Sequence, residues 1–143
     1  MKNVVTQNIK EFIFGGNSEF TIINRINNKS IKYKIGANDN YTAWFVSISE
    51  SNSYTYAGYF KKDKGKLVYF KGNKGACEKD HPAIKALYWV LANSDKLGEK
   101  IDIIHHEKCS VCGRPLTDEE SVIRGIGPTC FKKIGGLLMG LGL

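Results

Sequence analysis

The sequence lacks any long apolar run. No stretch approaches the roughly 18–20 consecutive apolar residues that a helix needs to cross a bilayer, and residues 1–7 lack the apolar core of a signal peptide. We therefore expect a cytoplasmic protein, and disulfides are rare in that compartment. With 143 residues, 42% of them hydrophobic and 24% charged, the chain has the composition of one folded domain, or of one domain with a small appended module.

The sequence also lacks the common catalytic motifs. It contains no glycine-rich phosphate-binding loop and no nucleophile elbow. The deaminase pattern His-x-Glu followed by Pro-Cys-x2-Cys is missing as well. We therefore expect a binding protein rather than an enzyme.

Positive charge is concentrated in the first half of the chain. The net charge is +7, and residues 1–76 hold 12 basic and 5 acidic residues, whereas residues 77–143 hold 9 of each. Six lysines fall within 14 positions: Lys61, Lys62, Lys64, Lys66, Lys71 and Lys74. Such a cluster attracts nucleic acid or an acidic protein surface, although lysines also protect a sheet edge from aggregation. Both interpretations stay open, and we take these six lysines as candidate partner-binding residues.

Alternation of apolar and polar residues predicts a sheet in the first half of the chain. Short aromatic and β-branched runs occur at 20–23, 31–35, 44–48, 54–60 and 67–70, separated by turn clusters at 27–30, 36–40, 50–53 and 64–65. Five short strands joined by such turns favour an antiparallel meander.

The period changes after residue 80. Pro82 suits the first position of a helix, and Ile84, Leu87, Tyr88 and Leu91 recur at helical spacing. This helix should cover the apolar face of the sheet, and a short strand should follow at 101–104. We predict an α+β fold with about five antiparallel strands and one covering helix in domain 1–100, and a small treble-clef or zinc-knuckle module in 101–143.

Aromatic residues are frequent in the predicted strands. Eight of them are Tyr33, Trp44, Phe45, Tyr54, Tyr56, Tyr59, Tyr69 and Phe70. Beside the lysines, some of them would stack on nucleobases, as in sheet-based binders of single strands. Aromatic side chains also favour strands and pack in cores, and we favour core packing because no RNA-recognition motif is present.

Three cysteines have the spacing of one structural zinc site. Cys109 and Cys112 form a Cys-x2-Cys-Gly knuckle, in which two thiolates can bind one ion and the following glycine permits the turn. Cys130 follows a Gly-Ile-Gly-Pro turn and should lie in the first turn of a helix from Thr129 to about Leu138, where the helix dipole favours a thiolate. A capping box formed by Thr117 and Glu120 predicts a helical turn between the knuckle and the Gly-Ile-Gly-Pro turn before Cys130.

A structural tetrahedral site needs a fourth ligand. His105 or His106 is the natural candidate, and neighbouring side chains on an extended segment point in opposite directions, so only one of them can face the metal. Cys77 with His81 is a rival source that lies far away in sequence. We predict one closed Zn²⁺ site, and the apolar tail 135–143 should pack on this module or on a partner.

The stretch from Cys109 to Cys130 carries a specific resemblance. Its pattern, Cys-x2-Cys-Gly-Arg-Pro-Leu-Thr-Asp-x2-Ser-x3-Gly-Ile-Gly-Pro-x-Cys, is similar to a family of uncharacterised zinc-knuckle domains common in bacteriophage and mobile-element proteins. A weaker similarity to phage proteins with this motif extends over residues 18–110. The resemblance implies that the three cysteines and one of the two histidines are the metal ligands.

The same resemblance suggests a biological setting. It implies a phage-encoded accessory protein in the cytoplasm of a bacterial host, but it brings no known activity. Small metal-binding phage proteins without catalytic residues also resemble anti-CRISPR inhibitors, some of which act on Cas9. We therefore hypothesise an inhibitor of a bacterial defence protein, with the Cas9 effector as first candidate. The alternative is a DNA- or RNA-binding phage protein that uses the lysine-rich aromatic sheet, with zinc as a structural staple; partner identity and oligomeric state stay open.

Overall fold

The computed structural model describes residues 3–49 and 52–142. Residues 1, 2, 50, 51 and 143 lie outside this description. Three earlier predictions therefore fall partly outside it: the segment 1–7 examined for a signal peptide, the turn at 50–53 and the tail 135–143. The described elements are α1 (Ile9–Ile13), β1 (Asn17–Asn24), β2 (Lys29–Ala37), β3 (Ala43–Ser49), β4 (Thr55–Asp63), β5 (Lys66–Phe70), α2 (Pro82–Ala92), β6 (Ile101–His105), α3 (Glu119–Arg124) and α4 (Pro128–Leu138). None of these helices is long and apolar enough to cross a membrane.

The predicted α+β fold with its antiparallel meander is confirmed. Strands β1 to β5 pair in chain order, every pair is antiparallel, and the sheet order is β5-β4-β3-β2-β1-β6. The sixth strand was predicted, but its place was not: β6 lies beside β1, with Phe20 opposite His105 and Asn24 opposite Ile101. Residues on both sides of position 100 therefore share one sheet, and the division into domains 1–100 and 101–143 stays a prediction.

One face of the sheet is buried beneath α2. Alternate residues of the strands point into this core, as period-two burial requires, and Tyr33, Trp44 and Phe60 are fully buried there. The Tyr33 hydroxyl donates to the Ala83 carbonyl oxygen at 2.8 Å, which fixes the sheet to the first turn of α2. The predicted covering helix is therefore confirmed, with Pro82 at its first position.

The N-terminal segment contributes a part of the core that the sequence did not predict. In and beside α1, Phe12 and Phe14 are almost fully buried. The Phe14 ring lies edge-on to the rings of Trp44 and Phe60, with centroid distances of 5.5 and 5.3 Å. The Phe14 backbone carbonyl oxygen accepts the Trp44 indole N–H at 3.0 Å. A helix of five residues is too short to show a period of its own.

The C-terminal tail lies against the hairpin formed by β4 and β5. The Leu67 N–H donates to the Gly142 carbonyl oxygen at 2.8 Å, and the Gly142 N–H donates to Gly65 at 3.0 Å. The Lys10 ammonium also donates to the Leu141 carbonyl oxygen at 2.8 Å. The segment that follows α4 is therefore hydrogen-bonded to the lysine-rich hairpin.

Candidate functional site

A tight hairpin holds the first two cysteines. Lys108 and Pro115 form an isolated antiparallel β-bridge. The Cys109 N–H donates to the Arg114 carbonyl oxygen at 2.8 Å. The Gly113 N–H closes the turn on the Cys109 carbonyl oxygen at 2.9 Å, with a φ of 78° at Gly113. This conformation favours glycine, and the structure therefore has the predicted knuckle.

A short helix and a Gly-Pro turn bring the third cysteine back. The predicted cap was wrong: α3 begins after Asp118, whose Oδ2 accepts the Ser121 N–H at 3.1 Å, and neither Thr117 nor Glu120 takes that role. Aspartate is among the strongest N-cap residues, so it wins over a threonine one position earlier. The next helix, α4, begins at Pro128 with Cys130 in its first turn, as predicted.

The three cysteine sulfurs converge. The Sγ atoms of Cys109, Cys112 and Cys130 lie within 4.8 Å of one another. Thiolates bound to one tetrahedral ion at 2.3 Å would be about 3.8 Å apart. Small movements of the cysteine side chains would therefore bring all three sulfurs within bonding distance of one ion. Cys109 is buried, whereas Cys112 is exposed. The chemistry of this donor set fits one metal ion with an affinity for sulfur.

Backbone hydrogen bonds favour a thiolate at Cys109. Burial raises the pKa of its thiol, but hydrogen bonds from the backbone N–H groups of Cys112, Gly127 and Val111 and from the Cys112 side chain lower it, and the net pKa is below the ordinary value. The Gly127 N–H lies 3.4 Å from the sulfur. Burial, the Cys112 side chain and the nearby Cys109 charge raise the pKa of Cys130 to about 12. A bound cation would relieve this repulsion between neighbouring thiolates.

The histidines lie outside the group of three sulfurs. The ring of His105 is buried, its Nδ1 accepts the Glu107 N–H at 2.8 Å, and its Nε2 donates to the Val122 carbonyl oxygen at 2.7 Å. Burial lowers its pKa, which favours this neutral tautomer. His106 is exposed. The structure thus brings the cysteines together without either histidine, and a fourth ligand from this pair stays a prediction.

The rival source of a ligand does not reach the cluster either. Cys77 is buried in the main core, and His81 caps α2 by accepting the Ala83 N–H at 3.0 Å. Neither residue belongs to the group of described side chains that could hold a metal ion.

Three aromatic rings form a row on the face of the sheet opposite α2. Phe45, Tyr59 and Phe70 are paired across β3, β4 and β5, and the consecutive centroid distances are 6.5 and 5.6 Å. Phe45 is 45% exposed and Phe70 is 38% exposed. We call Phe45, Tyr59 and Phe70 the aromatic row. The preference for core packing thus holds for Tyr33, Trp44 and Tyr69 but not for this row.

The candidate lysines divide into two groups. Lys61, Lys71 and Lys74 line an open cavity of about 600 Å³ together with Phe45 and Tyr59. The other three do not line it: Lys64 and Lys66 are exposed at the β4–β5 turn, and Lys62 is half-buried on the side of the strand opposite to Lys61. The first group therefore places three ammonium groups beside the aromatic row. The Lys71 ammonium also lies 3.2 Å from Glu78 Oε1, so this ion pair must open before Lys71 contacts a phosphate.

Only one of the comparisons with known proteins gives a match. Residues 105–135 match a family of unknown function, DUF6011. The matched segment contains all three clustered cysteines and both candidate histidines. No curated protein and no solved structure matches the chain.

Two further lysines lie on the face of the sheet opposite α2, which we call the open face. They were not among the predicted site residues. Lys32 and Lys34 are exposed on β2, and Lys34 lies opposite Ser47 in the pairing with β3, on the face that carries Phe45. The Lys34 ammonium lies 5.8 Å from the centroid of the Tyr54 ring. The alternation Ile-Lys-Tyr-Lys-Ile contained this signal, since a buried Tyr33 places both lysines on the other face.

One glycine in the DUF6011 segment should be sensitive to substitution. Gly125 ends α3 with a φ of 70°, and a Cβ there would overlap the ring of Phe12. We expect Gly125→Ala to lower the free energy of unfolding by about 2–4 kcal/mol, because a left-handed backbone and an overpacked ring both add cost. Gly127→Ala is the matched control: its φ is −68° and a Cβ there has open space. Urea denaturation of the two metal-loaded variants measures the free energy of unfolding of each. Equal free energies for Gly125→Ala and Gly127→Ala would contradict the close contact between Gly125 and Phe12.

Proposed function

We propose that this protein binds single-stranded nucleic acid on the open face of its sheet, with a zinc ion as a structural staple. The observation that carries the proposal is the aromatic row flanked by Lys61, Lys71 and Lys74. Aromatic rings stack on bases of any sequence, and lysines neutralise the phosphates between them. The protein would act by binding, without catalysis.

The spacing of the row favours a single strand over a duplex. Its ring centroids are 6.5 and 5.6 Å apart, whereas stacked bases in duplex DNA repeat at about 3.4 Å along each strand. Rings at the wider spacing suit bases that have been unstacked, as in a single strand. The rings also lie on a sheet face, and base faces inside a duplex are closed to such a surface.

Zinc is our proposal for the metal. Three thiolates within 4.8 Å of one another suit a borderline-soft ion that accepts tetrahedral coordination. The ion would hold the knuckle against the start of α4, whose tail is hydrogen-bonded to Leu67 and Gly65 in the lysine-rich hairpin. Metal binding would thereby stabilise the β4–β5 hairpin, which lies at one edge of the open face of the sheet.

The hypothesis of a phage-encoded Cas9 inhibitor in the bacterial cytoplasm stays beside this proposal. Cas9 holds its guide–target heteroduplex in a positively charged channel and stabilises a displaced single strand. A protein of net charge +7 would be repelled by such a channel but attracted to the displaced strand or to the guide RNA. Inhibition would then follow from the same nucleic-acid face.

Salt-dependent binding to a fluorescent oligothymidine tests the proposal. For single strands the logarithm of affinity falls with the logarithm of salt with a slope of roughly −0.7 per phosphate neutralised. We expect the triple variant Lys61→Ala, Lys71→Ala and Lys74→Ala to reduce that slope by about 2. Lys29→Ala is the control, because Lys29 lies on the α2 side of the sheet and should leave the slope unchanged.

Two outcomes would overturn the proposal. One is equal affinity for the oligothymidine and for a duplex of the same length, since the aromatic row requires unstacked bases. The other is no oligonucleotide binding together with a stable complex with Cas9 that carries no guide RNA, which would favour a protein-directed inhibitor.

A further inference from the structure

We infer that Asp118, rather than either histidine, supplies the fourth ligand of the metal ion. The inference rests on the metal site proposed above and names a residue that neither the cysteine spacing nor the family match assigns. It follows from what occupies the histidine nitrogens, what lines the cavity at the sulfurs and how Asp118 is held.

His105 is committed to backbone groups on two sides. Its Nδ1 accepts from Glu107 and its Nε2 donates to Val122, so neither nitrogen has a lone pair left for an ion. Its ring also lies 6.2 Å from the Phe12 ring, between centroids. Turning this ring towards the sulfurs would break its hydrogen bonds to the Glu107 N–H and the Val122 carbonyl oxygen, each of which contributes about 0.5–1.5 kcal/mol.

The cavity at the sulfurs contains a carboxylate and no histidine. Its volume is about 240 Å³, and all three cysteines line it. Of the described residues in its wall, Asp118 alone has a carboxylate, and neither His105 nor His106 is among them. Carboxylate oxygen is an accepted zinc ligand at about 2.0–2.2 Å.

Asp118 can serve as helix cap and as ligand at the same time. A carboxylate has two oxygens with about four lone-pair sites, and the cap uses one of them, on Oδ2. The carboxylate lies outside the group of atoms within 4.8 Å, so Oδ1 must move towards the ion when it binds, while Oδ2 keeps the Ser121 N–H. The side chain is exposed, which makes this movement inexpensive.

Charge balance also permits this ligand. Three thiolates and a carboxylate around a divalent cation carry a net charge of −2, which needs a nearby cation in a partly dry site. Arg114 lines the same cavity. Its guanidinium would balance part of the additional negative charge.

Metal affinity in matched variants tests the inference. Asn is as good an N-cap as Asp but lacks the anionic ligand, so Asp118→Asn should keep α3 and weaken zinc binding. Loss of a residue that only orients a ligand costs about 10–100-fold in affinity, and loss of the ligand itself should cost at least as much. His106→Ala should leave the affinity unchanged. Competition with a chromophoric chelator measures each affinity.

Cobalt spectroscopy adds a readout that a purely structural role would not change. In Asp118→Cys, Co²⁺ should show the stronger charge-transfer absorption of four thiolates in place of three, whereas His106→Cys should match the unmodified protein. A loss of affinity in His106→Ala, with Asp118→Asn unchanged and no spectral change in Asp118→Cys, would overturn the inference but leave the metal site intact. Failure of the unmodified protein to bind one equivalent of Zn²⁺ or Co²⁺ would overturn the metal site as well.

Discussion

Removal of the metal ion should unfold the C-terminal region from the knuckle to the tail. Structural zinc contributes an apparent free energy of about 10–16 kcal/mol in small zinc modules at neutral pH, which is as large as the whole stability of a typical domain. In this region α3 has six residues and α4 has eleven, and isolated helices of that length are marginal in water. Ile126, Ile134 and Leu138 are buried against the core, but without the ion these contacts alone would have to hold both short helices in place.

Hydrogen exchange in the presence and absence of a chelator measures this effect by region. We expect amides of α3 and α4 to lose protection first, followed by those of β5, since Leu67 donates to Gly142 in the tail. Cys112→Ser should reproduce the effect without chelator. Cys77→Ala is the control: Cys77 lies in the main core, so this variant should keep a full equivalent of metal. Unchanged exchange in chelator would contradict a structural role for the ion.

Truncation of the aromatic row should weaken the binding of single strands strongly. Stacking contributes about 1–3 kcal/mol per base, so Phe45→Ala and Phe70→Ala should each raise the dissociation constant roughly 5- to 150-fold. Both rings are more than one third exposed, and their removal should therefore leave the folded state largely intact. Fluorescence anisotropy with oligothymidine measures the affinity, and thermal denaturation verifies the fold.

Trp89→Ala is the matched control for these variants. Trp89 is an aromatic residue with a similar exposure of 44%, but it lies on α2, away from the open face. Its removal should leave the affinity unchanged. If Trp89→Ala weakened binding as much as Phe45→Ala, the nucleic acid would have to contact the other side of the molecule.

Local signals were sufficient for the strands, the covering helix and the cysteine cluster. The alternation in Ile31–Ile35 determines which side chains face the core, because successive residues of a strand point to opposite faces. The Cys-x2-Cys-Gly spacing likewise determines a turn, since the two sulfurs and the glycine belong to one hairpin. Such features depend on neighbours in sequence, and a single sequence contains them.

The remaining features depend on partners that are distant in sequence. The position of β6 beside β1 joins residues about 80 positions apart, and nothing in Ile101–His105 specifies that edge. The role of His105 was missed for a related reason: its ring nitrogens bind backbone groups of Glu107 and Val122, and backbone partners leave no signature in the amino-acid sequence. The aromatic row also required the register of three strands before its members could be grouped.

Chemical-shift mapping with oligothymidine is the most direct test of the central claim. Titration of the labelled, zinc-loaded protein should shift the ring resonances of Phe45, Tyr59 and Phe70 and the resonances of Lys61, while those of Trp89 on the opposite side stay in place. Shifts confined to Trp89 and its surroundings, or no shifts at saturating oligonucleotide, would contradict binding of a single strand on the open face of the sheet.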